Sequence, residues 1–164
     1  MNHIPIMKRL KELLVDYAVI IAYLVLLLII NVVIIFLVLK EIPAYTETQS
    51  QLIATFTSVI PIILIFSYLD FKDGSIGKRA AGLKLMYVHK RFSSSLVRNI
   101  IKFLPWQLGH VGVIHGMYSG FDMVAIILAN GGTLLGVVML SMGLFRKDKR
   151  HLGDFLAGTK VELQ

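Results

Sequence analysis

YAVIIAYLVLLLIINVVIIFLVL, residues 17–39, holds no charge over 23 positions and is bracketed by Asp16 and Lys40. About 20 mostly apolar residues suffice for a helix to cross ~30 Å of hydrocarbon, so this stretch reads as a membrane span. The same bracketing finds three more runs. Glu47 and Asp70 enclose residues 48–69, Lys102 and Asp122 enclose 103–121, and Asp122 and Arg146 enclose 123–145. The third run is the least apolar: it carries Pro105, Gln107, His110, His115 and four glycines. The expected fold is therefore an all-α integral membrane protein of four transmembrane helices, one domain over residues 1–164.

Composition agrees. The chain is 56% hydrophobic and 16% charged, against roughly 25% charged in an ordinary soluble domain. Disorder is excluded by the same numbers, since disordered chains are poor in apolar residues and rich in charge. With no cysteine there is no disulfide scaffold, thiol nucleophile or Cys-ligated metal.

Loop charge sets the orientation. Lys8, Arg9 and Lys11 precede the first span, residues 70–102 hold eight basic residues, and the tail holds Arg146, Lys147, Lys149, Arg150 and Lys160. The positive-inside rule places all three in the cytoplasm, with N- and C-termini inside a cell membrane and Gly120-Phe121-Asp122 as a tight outer turn. The net charge of +7 is then mostly topology, and nucleic acid is not an expected partner. The expected partners are the bilayer, a second copy of the chain, or another membrane protein.

Helical phase, 100° per residue, groups the polar side chains. Arg9, Glu12, Asp16, Tyr23 and Asn31 share an arc of about 100° on the first helix. Asp122, Asn130, Thr133 and Ser141 mark a polar side of the fourth. A carboxylate such as Asp16 at the membrane edge is costly unless it faces protein and is paired. Gly112, Gly116 and Gly120 on the third helix, and Gly132 and Gly136 on the fourth, are expected to let the two backbones pack closely. Pro61 frees the carbonyl of Thr57 in the second helix. Between the second and third spans, Leu83–Val88 reads as extended. Leu96–Leu104 reads as a cytoplasmic amphipathic helix, capped among Ser93, Ser94 and Ser95 and lying on the membrane or under the bundle. Asp154 is expected to cap one helical turn ending at Gly158. Asp73-Gly74-Ser75-Ile76-Gly77-Lys78-Arg79 lacks the glycine spacing of a phosphate loop. No metal or cofactor site is expected. With no H-E-x-x-H and no G-x-S-x-G, neither is an enzyme.

Arg9 with Asp16, the block from Asp73 to Leu83, Leu96-Val97-Arg98, and Gly153-Asp154-Phe155-Leu156-Ala157-Gly158-Thr159 together resemble the RDD family of bacterial membrane proteins. By that resemblance the family's arginine and two aspartates correspond to Arg9, Asp16 and Asp154. The chain departs from the pattern at Gly153, where the family usually has His; His151 lies nearby. The resemblance implies suspected ion or small-solute transport for some members. Two functions remain open. One is cation- or proton-linked transport along the polar helix faces. The other is a non-transporting accessory or scaffold protein, in which Asp16 and Asp154 clamp Arg9, Arg79 or Arg98.

Overall fold

The computed structural model describes residues 4–164. Helix α1 runs from Ile6 to Val33 and winds on as π-helix over Ile34–Leu39, where Lys40 turns left-handed (φ 60°). The second long helix starts at Thr46, which forms a capping box with Gln49. It comprises α2 (Glu47–Ala54), a π-helical stretch Thr55–Val59, and α3 (Ile60–Lys72). Pro61 sits at the start of α3 and supplies no N–H there. The freed carbonyl of Thr57 accepts the Tyr23 hydroxyl at 2.5 Å, which gives Tyr23 of the polar arc a structural role between the first two long helices.

Asp73 and Gly74, both at positive φ, stop α3. A short helix α4 (Ile76–Ala80) and strand β1 (Leu83–Tyr87) follow. The long helix α5 (Phe92–Ser119) contains Pro105. Gly120 and Phe121, at φ 71° and 59°, turn the chain directly into α6 (Met123–Phe145). The tail adds α7 (Leu152–Ala157) and strand β2 (Thr159–Leu163), which pairs antiparallel with β1 in the register Leu83↔Leu163, Leu85↔Val161 and Tyr87↔Thr159.

The helices Ile6–Leu39, Glu47–Lys72 and Met123–Phe145 are long and apolar enough to cross a membrane. Their outward faces carry exposed Leu28, Phe36, Leu37, Phe56, Ile127 and Leu134, as lipid-facing surfaces do. Between the helices lies a core of Ile62, Phe66 and Phe103, flanked by Ile20, Tyr23, Leu24 and Trp106. A second core of Ile4, Ala81, Leu83, Leu85 and Val161 binds the start of α1 to the two-stranded sheet.

Several expectations are corrected. Leu96–Leu104 is not a separate surface helix; it is the first part of α5. Its polarity is also reversed: Arg98 and Asn99 are buried, whereas Ile100 and Leu104 are exposed. The reason is the partner: Arg98 and Asn99 turn inward because both donate to buried Asp70 on α3. Arg91, not one of the serines, stands at the N-cap position of α5, with no side-chain capping bond, and Ser95 instead donates to the carbonyl of Ser67 (2.7 Å). The α5–α6 hairpin is close-packed as expected, but through fewer glycines. A Cβ on Gly112 would meet Ala129 N at 2.5 Å, and one on Gly132 would meet the Pro105 carbonyl at 2.7 Å. Gly116 faces the ring of Phe121, Gly120 is a turn residue with open space around it, and Gly136 is merely in contact with Pro105.

Candidate functional site

The start of α1, the end of α3, the start of α5 and the segment after α6 converge at one end of the bundle, and there the ionisable side chains meet. Asp70, fully buried on α3, is the hub. Its Oδ1 accepts from Lys78 Nζ (2.9 Å) and the Ser75 amide (3.1 Å). Its Oδ2 accepts from Arg98 Nη1 (2.5 Å) and Asn99 Nδ2 (3.1 Å). Four donors fill the capacity of one carboxylate.

Two arms leave this hub. Arg98 Nε donates to Asp154 Oδ1 (2.7 Å), which also accepts the Thr159 hydroxyl (2.9 Å). On the other side Lys78 Nζ lies 3.4 Å from Glu12 Oε1, and Glu12 Oε2 accepts from Arg9 Nη1 at 2.5 Å. Arg9 then reaches the end of α6 and the loop beyond it, donating to the carbonyls of Gly143 (3.4 Å) and Lys149 (3.1 Å). Asp16 completes the set. It accepts the Ser75 hydroxyl (2.7 Å) and the Gly77 amide (2.8 Å), with Lys102 Nζ at 3.7 Å. Glu12, Asp16, Asp70 and Asp154 thus face Arg9, Lys78, Arg98 and Lys102, and their charges balance. Breaking a buried pair strands a charge at about 3–5 kcal/mol, so every member depends on the others.

Glycine makes this assembly fit. A Cβ on Gly77 would lie 2.1 Å from the Glu12 carbonyl and 2.6 Å from Asp16 Oδ1, so α4 can approach α1 this closely only with hydrogen at that position. A Cβ on Gly153 would lie 2.6 Å from the Arg98 carbonyl, which brings α7 onto α5 in the same way.

His151 caps α7. Its Nδ1 accepts the Gly153 amide (3.1 Å), while Asp154 accepts the His151 amide (3.2 Å). The cap is thus His151 rather than the expected Asp154, which occupies the reciprocal place in a capping box. Burial pushes the His151 pKa down to about 3, the Arg98 guanidinium adding to this and the Asp154 carboxylate opposing it. The ring is therefore neutral; its Nε2 lies 3.2 Å from Arg98 Nη2 and 3.3 Å from Asp154 Oδ2. Burial alone would raise the Asp154 pKa; the Arg98 guanidinium overrides it and holds the carboxyl well below the ordinary range. Burial also pushes the nearby Tyr87 phenol up to about 12.

Of the residues singled out from sequence, Arg9, Glu12, Asp16, Arg98 and Asp154 are all buried in this one network. The Asp154–Arg98 pair is among those expected, and Arg9 pairs with its neighbour on the arc, Glu12; Asp16 instead bonds the loop and α4, and Arg79 is exposed, its neighbour Lys78 being the buried cation. The remaining polar-face residues do not join it. Asn31 donates to Leu27 O and Asn130 to Ile126 O, each on its own exposed helix turn, and Thr133 does the same to Ala129 O. Ser141 is half-buried on α6. Asp122 is at the far end, where it caps α6 through the Ala125 amide (2.9 Å) and lies 3.3 Å from His115 Nε2, whose Nδ1 lies 2.8 Å from Glu47. The polar sides of α1 and α6 therefore do not face one another as a continuous lining.

Asp70 and Lys78 were not recognised in the sequence. A usable signal existed for Asp70. Ile62, Phe66 and Asp70 are spaced by four residues, so the inward face of α3 passes through the aspartate.

Long apolar helices closed at one end by a charge-matched polar clamp define a helical integral membrane protein. The RDD family model matches residues 5–158, and the chain belongs to that family. Neither a curated protein nor a solved structure matches it.

Proposed function

We propose that the chain is a non-transporting, non-catalytic accessory protein of the membrane. It spans the bilayer four times, α5 crossing beside α6, with both termini in the cytoplasm. Its charge network locks a cytoplasmic cap of α4, the β1–β2 sheet and α7 in a fixed posture for a protein partner. The observation that carries this reading is the saturation of Asp70. A carboxylate that accepts four hydrogen bonds from Lys78, Ser75, Arg98 and Asn99 has no free lone pair for a moving proton or cation. The exposed stretch from Val88 to Arg91 offers such a partner a basic, partly apolar edge.

The test is ion-driven proton flux in proteoliposomes loaded with a pH-sensitive dye and pulsed with Na+, K+ or Li+. The expected result is no flux above empty liposomes, together with a lower melting temperature for Asp16→Asn. A cation-driven flux that is lost in a well-folded Asp16→Asn protein would make Asp16 a translocation residue and overturn the proposal.

A further inference from the structure

One charge in the network is not satisfied. Lys102 Nζ has no hydrogen-bond acceptor among the described residues. Its nearest carboxylate oxygen, Asp16 Oδ2, is 3.7 Å away and already accepts the Ser75 hydroxyl. The ammonium rests over the rings of Phe66 (4.6 Å) and Phe103 (5.2 Å), and its side chain is 20% exposed. It opens into a cleft of about 510 Å³ between α1 on one side and α5 and α6 on the other. That volume lies within the range of small-molecule sites.

The cleft is graded. At one end stand Lys102, Asp16 and the neutral His151; beyond them the walls are apolar, built from Ile20, Leu24, Trp106 and Met139 among others. From Asp16 to Leu24 it runs about 12 Å along α1. Its floor is kept open by glycine: a Cβ on Gly109 would meet nothing within 4 Å, and one on Gly136 would touch just Pro105, at 3.5 Å. The accessible charge is positive, since Asp16 is buried with donors on both oxygens. An occupant must therefore bring an anionic oxygen to Lys102 and a slender apolar chain to the groove.

We infer that this cleft holds one glycerophospholipid, its phosphate bonded to Lys102 and an acyl chain lying between α1 and α6. The helix that carries the lysine lies beside spans whose outer faces are apolar, so a bilayer lipid can enter sideways without passing through water. The phosphate supplies the acceptor that Lys102 lacks, and the chain covers the apolar walls. The inference does not depend on the accessory reading, because its readout is lipid occupancy rather than ion flux.

Trp106 is the single tryptophan of the chain and lines the cleft, so its fluorescence reports an occupant. Purified protein in detergent is titrated with phosphatidylglycerol whose acyl chains are brominated. The expected result is saturable quenching that unbrominated phosphatidylglycerol reverses and inorganic phosphate does not. Lys102→Met should raise the half-quenching concentration about tenfold, the loss of one charge-assisted hydrogen bond. Gly136→Leu, which fills the groove and leaves the lysine in place, should abolish the saturable component with the melting temperature retained; this variant decides the matter if Lys102→Met does not fold. Quenching that stays linear in lipid, or is the same in Gly136→Leu, would mean bulk partitioning and overturn the inference. Equal competition by inorganic phosphate would make the site one for a small anion and overturn it too.

Discussion

Asp70 shows how much one buried side chain can hold. It joins α3 to α4 through Lys78 and to α5 through Arg98 and Asn99. Asp70→Asn keeps the shape but replaces two acceptor oxygens with one acceptor and one donor, the donor aimed at cations. Taking this shared counter-charge from Lys78 and Arg98, which keep Glu12 and Asp154, leaves one buried positive charge in excess and should cost about 3–5 kcal/mol, read as a lowered melting temperature of the detergent-solubilised protein. Asp73→Asn is the control, because among the described residues that carboxylate meets only the exposed Lys90, and its melting temperature should match wild type. His151 contributes a pH dependence. Its folded pKa of about 3 lies below the ordinary 6.5. Below that ordinary value the unfolded chain binds a proton that the folded one refuses. The contribution of His151 is thus complete above pH 6.5 and falls by about 1.4 kcal/mol per pH unit as the pH drops toward 3. Asp154, also lowered, acts in the same direction, but only in the acid range of carboxylates. The melting temperature should therefore fall between about pH 7 and about pH 5, and His151→Gln should flatten that fall. An unchanged slope in the variant would show that the ring is not the titrating group.

At the scale of elements, glycines decide which helices touch. Gly77→Ala puts a methyl group into the Glu12 carbonyl, so α4 must leave α1 and release the Asp16 bond. Overpacking of this kind costs about 1–3 kcal/mol. Gly131 has open space where a Cβ would stand, and Gly131→Ala on the same assay should be neutral or stabilising by up to about 1 kcal/mol, the helix propensity difference. If both variants melt alike, the close approach of α4 to α1 is not a constraint on stability. These contacts also mark what the sequence could disclose. Charge bracketing recovers α6 residue for residue, because Asp122 caps it and Arg146 ends it. The hairpin turn at Gly120 was equally legible. The reversed polarity of Leu96–Leu104 was not, since an apolar stripe reads the same whether lipid or protein lies against it. Lys78 and Arg79 are adjacent, and only the packing of α4 on α1 selects which of them is buried. The pairing of Arg9 with Glu12 was within reach, the two lying three apart on one helix face; the bonds of Asp16 to Ser75 and Gly77 were not, because those partners come from a distant segment.

For the whole molecule, the clamp works as a closure between chain ends. The tail contributes Asp154 to Arg98, Thr159 to Asp154, and Val161 to the core that holds Ile4 and Leu85. Strand β2 pairs along the full length of β1. The segment between the second long helix and α5 therefore has no stable fold of its own; one strand cannot form a sheet, and α4 has only five residues. A chain ending at Lys149 should lose all of these contacts together. Arg98 would keep Asp70 but lose Asp154, and Leu83 and Leu85 would lose their cover. Limited trypsin digestion of the protein in proteoliposomes, read by mass spectrometry, measures the outcome. The intact chain should be cut first in the exposed turn at Lys90 and Arg91, while Lys78, with no exposed surface, resists. The shortened chain should be cut after Lys78 and Lys84 at rates approaching those at Lys90, because cleavage there requires α4 and β1 to open and the tail is what holds them shut. Unchanged protection of Lys78 in the shortened chain would mean that Glu12, Asp16 and Asp70 suffice to hold α4, and that the tail is a passenger on the cap.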